Sequence, residues 1–434
     1  MIKSHVFRGK EMPKMRRMAW MLILVWMIGC GSSSTPTKSV SSTDDPVIPA
    51  EVASLFERGE VTNAIETLTG MIAKSPRDVS LYALRATGYH RVGEYDKAMA
   101  DLDYAISIAD RDPKLYNNRG FIRLGLQKFD DALNDFDKAT QLAPKYMNPY
   151  NNRGLLYLAQ QKYLDAITEF NRALEIDDRY VDAYNNRGFA EFEAGKLAQA
   201  LDDFNIAIQL NSDYVNAYNN RGLLRARAGD YDNAIVDFTH AMMLDPLNPK
   251  YYEHRCEVYQ RQGALDKAIA DEKKYDWLVE YHDLTAEIAK NASPANELIQ
   301  RAKHFMQVEH DDKALTDLDR AIQLNPKSAE GFAVRASVHL RQKSMDNAKA
   351  DAEASLAIAP NQEAYSVMGD MYLSRRDYDR AIENFANARR VDPNVAEAYY
   401  AKSKALAKQG QTEQAQVNLE QALALDPDVE SRLR

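Results

Sequence analysis

A chain of 434 residues with 45% hydrophobic and 27% charged residues has the composition of a folded soluble protein. Its net charge of -9, with Arg and Asp interleaved along the chain, excludes a general affinity for nucleic acid, which calls for a basic face. The two cysteines lie in unlike contexts and the eight histidines are scattered, so neither a structural zinc site nor any other metal or cofactor is implied.

The first element is a targeting segment. Lys10, Lys14, Arg16 and Arg17 precede an apolar run over residues 18–28, followed by Gly29 and Cys30. Eleven apolar residues fall short of the ~20 needed to cross a bilayer as a helix. A basic start, a short apolar stretch and a small residue before the cut make residues 1–29 a secretory signal. The Met27-Ile28-Gly29-Cys30 run resembles the lipobox of bacterial lipoproteins, with Met27 where leucine is usual. That resemblance implies an acylated (palmitate-bearing) Cys30 as the first mature residue, and an ordinary signal peptide with an incidental cysteine is the alternative. Gly31, in place of an Asp, implies the outer membrane and a periplasm-facing protein. Met15 is a second candidate start, beginning a compact signal. Residues 30–44 are rich in Ser and Thr, cannot build a core and read as a flexible tether. The chain before the first helix then reaches roughly 20–25 Å on average.

Next comes a repeat. Ala64, Ala98, Ala132, Ala166, Ala200, Ala234 and Ala268 are spaced by 34 residues. After a gap of 46, Ala314, Ala348, Ala381 and Ala415 follow at 34, 33 and 34. A small residue where two antiparallel helices cross lets them approach, and Ala does this without the helix penalty of Gly. Twelve residues before these alanines stand Gly120, Gly154, Gly188 and Gly222, and seven after them Ala139, Ala173, Ala207 and Ala241. Phe136, Phe170, Phe204 and Phe238 lie between, and Pro144, Pro246, Pro326, Pro360, Pro393 and Pro427 close many units. This pattern resembles the tetratricopeptide repeat over roughly residues 45–429, in eleven units. The resemblance implies an all-α fold, a right-handed superhelical solenoid of antiparallel helix pairs with a concave inner groove. The first unit, residues 45–78, is weak, with Val52 where a small residue is expected.

The 46-residue gap predicts a joint. Leu278, Tyr281, Leu284 and Ile288 continue at helical spacing, so one long helix runs to about Lys290. Residues 291–294 then break it and a new unit begins near Ala295. The expected blocks are residues 45–290, about seven units, and 291–434, four units, the alternative being a local insertion in one continuous array.

Two side-chain patterns ride on the repeat. Arg85, Arg119, Arg153, Arg187, Arg221, Arg255, Arg301 and Arg335 are each followed sixteen residues later by an acid, from Asp101 to Asp351. Units one, ten and eleven lack both members, which predicts a salt bridge between the two helices of a unit. Units three to six share Tyr-Asn-Asn-Arg-Gly. Its second asparagine, Asn118, Asn152, Asn186 or Asn220, resembles the ladder in the repeat half of the O-linked N-acetylglucosamine transferases, which grips a peptide backbone. An Asn amide both donates and accepts, matching a peptide unit. Asparagine is also common at this position where no ligand is known. Phe121, Leu155, Phe189 and Leu223 continue the same helical stripe, followed by Leu124, Leu158, Phe192 and Ala226. These residues are the expected peptide-binding set; part of the stripe could instead pack between units.

No Gly-rich phosphate loop, HExxH or GxSxG is present, and no glycosyltransferase domain follows the repeats, so no catalytic residue is expected. Cys256 sits where other units have Gly or Ala and reads as a small buried residue. Leu419 and Leu423 in the last unit, which shows no separate capping helix, could mediate a homodimer. The expected function is a non-catalytic scaffold or adaptor of the cell envelope. Its partners are proteins offering extended segments, with no small-molecule substrate. The alternative is an accessory subunit of a glycosyltransferase or of a secretion or pilus assembly machine.

Overall fold

The computed structural model describes residues 48–433; the signal segment, Cys30 and the tether lie outside them. Among the described residues the chain is helical, with eleven helix pairs and one short final helix. It divides into two compact units, one extending to Glu272 and the other Lys273–Arg434. Among these residues no helix is long and apolar enough to cross a membrane.

The local chemistry of each helix start is familiar. Asp78, Asp112, Asn248 and Asp392 accept the amide two residues on, satisfying one of the donors a helix leaves open. Pro113, Pro249 and Pro393 stand in first turns, where a missing N–H costs nothing. Gly229 closes its helix at φ 83°, a left-handed cap that other residues adopt only with strain.

In the first unit, repeats two to six pair helices of near-equal length, such as Met147–Ala159 with Tyr163–Ile176. The first repeat is truncated, its opening helix being only Ala50–Glu57. Hairpin register brings residue i opposite residue i+16. That register sets Gly154 against Phe170, which is fully buried, and a Cβ on Gly154 would lie 2.5 Å from the ring. Gly120, Gly188 and Gly222 meet Phe136, Phe204 and Phe238 in the same way. Where the small residue is Ala86, Ala302 or Ala336, the opposing residue shrinks to Leu102, Leu318 or Ala352.

The same register forms the predicted ion pairs, in all eight repeats. Arg85–Asp101, Arg119–Asp135, Arg187–Asp203, Arg221–Asp237, Arg255–Asp271, Arg301–Asp317 and Arg335–Asp351 close at 2.7 Å, and Arg153–Glu169 at 2.5 Å. The structure adds a second arm. The remaining guanidinium nitrogen reaches back sixteen residues to the preceding second helix. It donates to Asp103 from Arg119, to Asn171 from Arg187, to Asn205 from Arg221 and to Asp319 from Arg335. Each arginine also lies over a neighbouring ring, Arg153 over Tyr150 at 5.4 Å for example. Pairing within a unit and between units therefore coexist. The acids are buried, Asp237 completely, so these are interior pairs and not exposed ones.

The seventh repeat ends in the long helix Leu265–Lys290. The unit boundary falls inside it, after Glu272, ahead of the break that follows Lys290. Within the second unit its Trp277 stacks on His304 at 4.6 Å. The indole Nε1 donates to the His304 carbonyl (3.2 Å) and His304 Nε2 donates to the Trp277 carbonyl (2.7 Å). Repeat ten lacks the arginine but is tied differently, by Arg390 to Asp370 (2.6 Å) and Asp392 (2.5 Å). Leu419 and Leu423 pack with Ala396, Tyr400 and Val429, the last from a short final helix Val429–Arg432. That helix caps the array, so the expectation of an uncapped end is corrected and the proposed dimer residues are half-covered. Cys256 is buried, its thiol donating to the Ala268 carbonyl.

Removing one partner of a buried pair strands the other's charge. Asp237→Ala is expected to destabilise the array by ~3–5 kcal/mol, measured by denaturant unfolding. Arg335→Ala and Asp351→Ala are expected to be non-additive, and a double-mutant cycle with plain additivity would contradict the pairing. Gly154→Ala forces Phe170 to move and should cost ~1–3 kcal/mol.

Candidate functional site: the inner face of repeats three to seven

In the first unit, the first helices of successive repeats from the second to the seventh touch one another. Among the described residues no second helix makes a comparable contact with the next second helix. The stack therefore curves toward its first helices, which form the inner face. Repeats three to seven supply Pro113–Gly125, Met147–Ala159, Val181–Glu193, Val215–Ala228 and Pro249–Gln262.

The asparagines lie on this face and hold one another. Asn152 Nδ2 donates to Asn117 Oδ1 of the preceding repeat at 2.9 Å, Asn186 to Asn151 at 3.0 Å and Asn220 to Asn185 at 2.9 Å. Asn117, Asn151, Asn185 and Asn219, the first asparagine of each block, are buried. Repeat seven continues the row with a different residue. His254 Nδ1 lies 2.8 Å from Asn219 Oδ1, which accepts, so this nitrogen carries the proton. Burial, and then Lys250, pushes the His254 pKa down to about 4, keeping the ring neutral. The row thus extends one repeat beyond its asparagines.

Asn152, Asn186 and Asn220 each spend one amide hydrogen on the stack and retain a further N–H, whereas among the described residues Asn118 only accepts, from Asn117 at 3.5 Å. Asn118, Asn152 and Asn220 are half-buried, whereas Asn186 is buried. Of the apolar stripe, Phe121, Phe189 and Leu223 are half-buried, while Leu155, Leu124 and Leu158 are buried among repeats three and four. Arg227 covers Phe192, its guanidinium 5.0 Å from the ring.

A tyrosine row was not singled out from the sequence. Tyr146, Tyr180 and Tyr214 precede the first helices of repeats four to six at 34-residue spacing, which was the available signal. Asn148 Nδ2 donates to the Tyr146 hydroxyl at 3.3 Å. Tyr214 donates to Asp182 of the preceding repeat at 2.5 Å. Tyr180, half-buried, packs on the buried cluster of Ala173, Leu174 and Ala183, as does Met147 of the preceding repeat. Burial holds the Tyr180 and Tyr214 hydroxyls well above their ordinary pKa, so both stay protonated donors. Desolvation by the surrounding inner face also raises the Asp182 carboxyl, although the residue is open to solvent.

One buried acid stands beside the row. Glu191 occupies the slot filled by Arg123 and Arg225 in repeats three and six, where each arginine binds its repeat's acid. Burial, then the adjacent Asp203 carboxylate, pushes Glu191 up to about 7. Its Oε2 has no hydrogen-bond partner among the described residues. No group of three or more His, Cys, Asp or Glu among the described residues could hold a metal ion.

Family models described as TPR repeat match residues 156–193 and 190–229. Models described as tetratricopeptide repeat match residues 113–146, 215–246, 299–363 and 372–434. Together they span more than half of the chain. No curated protein matches it. Among solved structures the chain is similar to MamA, at 25% identity over 37% of this chain and 94% of that one, with a TM-score of 0.34. It is also similar to YrrB, described as a TPR protein with an unusual peptide-binding site, at 20% identity over 42% and 94% with TM-score 0.32. A tetratricopeptide repeat protein from Parabacteroides merdae shares 19% identity over 60% and 98%, with TM-score 0.38.

An unfolded glutamate titrates near ~4.3. With its folded pKa raised, Glu191 contributes stability that is present in full below ~4 and is lost as pH rises through about 7. Glu191→Gln should therefore gain on the wild type between pH 5 and pH 8. Thermal midpoints at the two pH values check this, and parallel curves would contradict it.

Proposed function

We propose that this chain, which belongs to the tetratricopeptide-repeat proteins, is a non-catalytic interaction scaffold of the bacterial envelope that takes an extended protein segment along its inner face. The observation that carries the reading is the run of first helices in repeats three to seven. They present half-buried Phe121, Phe189 and Leu223 beside asparagines with spare hydrogen-bonding capacity. The asparagines alone are a weak grip. Four contacts at ~0.5–1.5 kcal/mol net give ~2–6 kcal/mol, against the ~8 kcal/mol of micromolar binding. Apolar burial has to carry the balance.

The envelope location rests on the lipobox-like Met27-Ile28-Gly29-Cys30 run and the Ser/Thr-rich tether. Acylation of Cys30 would contribute ~0.8 kcal/mol per buried methylene, and two chains give stable anchoring. The second reading, an accessory subunit of a glycosyltransferase or of a secretion or pilus assembly machine, uses the same surface.

Two measurements test the proposal. Cys30→Ala should move the protein from the membrane to the soluble fraction of a cell lysate, and an unchanged distribution would refute the anchor. Asn152→Ala with Phe189→Ser should reduce capture of partners from solubilised membranes by roughly tenfold, the equivalent of ~1.4 kcal/mol. Thermal melting separates that loss from a loosened stack, and undiminished capture by a folded variant argues against the inner face.

A further inference from the structure

The tyrosine row narrows what the inner face would accept. This inference rests on the inner-face reading above and names the conformation of the ligand. Tyr146, Tyr180 and Tyr214 recur once per repeat at the entry to adjacent first helices. Packed helices stand ~8–10 Å apart, so a row recurring once per repeat on them is expected at about that interval. A polyproline II segment advances ~9.3 Å per three-residue turn. Aromatic-lined grooves bind such segments because the ligand is already ordered and loses little entropy on binding. A β-strand repeats every two residues, at ~6.6–6.8 Å, and would drift out of step with the rings.

The polar partners of the row fit the same ligand. A polyproline II chain makes no internal hydrogen bonds, so its carbonyls are open. Repeats four and six place Asn148 and Asn216 two residues after the tyrosine, and each bonds that hydroxyl. Repeat five has Asp182 instead. It cannot donate to Tyr180 and accepts from Tyr214. Among the described residues the Tyr180 hydroxyl is left without a hydrogen-bond partner, at the centre of the row. The solvent-open Asp182 carboxylate beside it favours a cationic side chain on the ligand.

We propose that the inner face of repeats four to six binds a proline-rich, basic segment of another protein as a polyproline II helix, one turn per repeat, with Tyr180 donating to a ligand carbonyl.

The test is calorimetric titration of the full chain in detergent with three capped dodecapeptides. One is built of Pro-Pro-Lys triplets, one of Gly-Ser-Lys and one of Ala-Val-Lys, so charge and length are constant. The Pro-Pro-Lys peptide should bind at least roughly tenfold more tightly than Gly-Ser-Lys. Tyr180→Phe should weaken it by roughly fivefold, as for one lost hydrogen bond, and Tyr180→Ala by more than ~tenfold. Because Tyr180→Phe keeps the ring and its packing, it reports on the hydroxyl even if the alanine variant misfolds. Equal affinity for Pro-Pro-Lys and Gly-Ser-Lys, or no effect of Tyr180→Phe, overturns the proposal. Tighter binding of Ala-Val-Lys, sensitive to Asn152→Ala, also overturns it but leaves the inner-face reading standing. Failure of all three peptides overturns it too, while membrane capture with the inner-face variants decides the wider reading separately.

Discussion

An arginine carries five N–H donors in a rigid plane, and the register of this fold directs them across three helices at once. In Arg119 the Nε and one terminal nitrogen clamp Asp135 across the hairpin, while the other terminal nitrogen reaches Asp103 on the preceding repeat. A planar group bound on two sides fixes both the angle within a repeat and the offset between repeats. The glycine that follows each of Arg119, Arg153, Arg187 and Arg221 lets the second helix close over a phenylalanine, so polar clamp and apolar contact share one register. The acids are buried and would be costly alone. Paired in bidentate fashion, they set the geometry of a unit that has no core of its own and depends on its neighbours.

This economy explains the Tyr-Asn-Asn-Arg-Gly block. In repeats three and four the tyrosine hydroxyl donates to a carbonyl six residues back, holding the interrepeat turn. Except where it stands in the last block, the first asparagine accepts from the second asparagine of the following repeat; Asn219 accepts from His254 instead. The arginine and glycine do the work just described. Most positions of the block are used by the stack, and binding capacity is what remains after that use.

The fold was legible because its periodicity sits in residues with a single mechanical role, such as Ala166 at a helix crossing or Asp203 opposite Arg187. The sixteen-residue offset gave the intrarepeat ion pair from sequence alone. The reach of Arg119 back to Asp103 was hidden, because its acceptor varies among Asp, Asn and Thr and carries no fixed residue type. The asparagine row was visible as a pattern, but its inward pairing depends on which amide faces which, a matter of three dimensions. Tyr146, Tyr180 and Tyr214 escaped notice because they stand in the turns, outside the helical stripes. The part that repeat seven plays in the row was hidden because His254 stands in the asparagine slot and a ring and an amide share no sequence signature, although both can donate to Asn219.

Trp277 has a consequence of an optical kind. The chain has three tryptophans, and Trp20 and Trp26 fall in the segment read as a signal. Trp277 is the one indole among the described residues, buried, stacked on a histidine and with the Lys274 ammonium 4.2 Å from its ring. In a chain without residues 1–29 its emission is a label-free signal from a single known place, the packing of the long helix on the eighth repeat. Most of the chain's tyrosines lie in the first unit, where they are available as a separate excitation population. Events on the two spectral channels can be timed against each other without altering a residue.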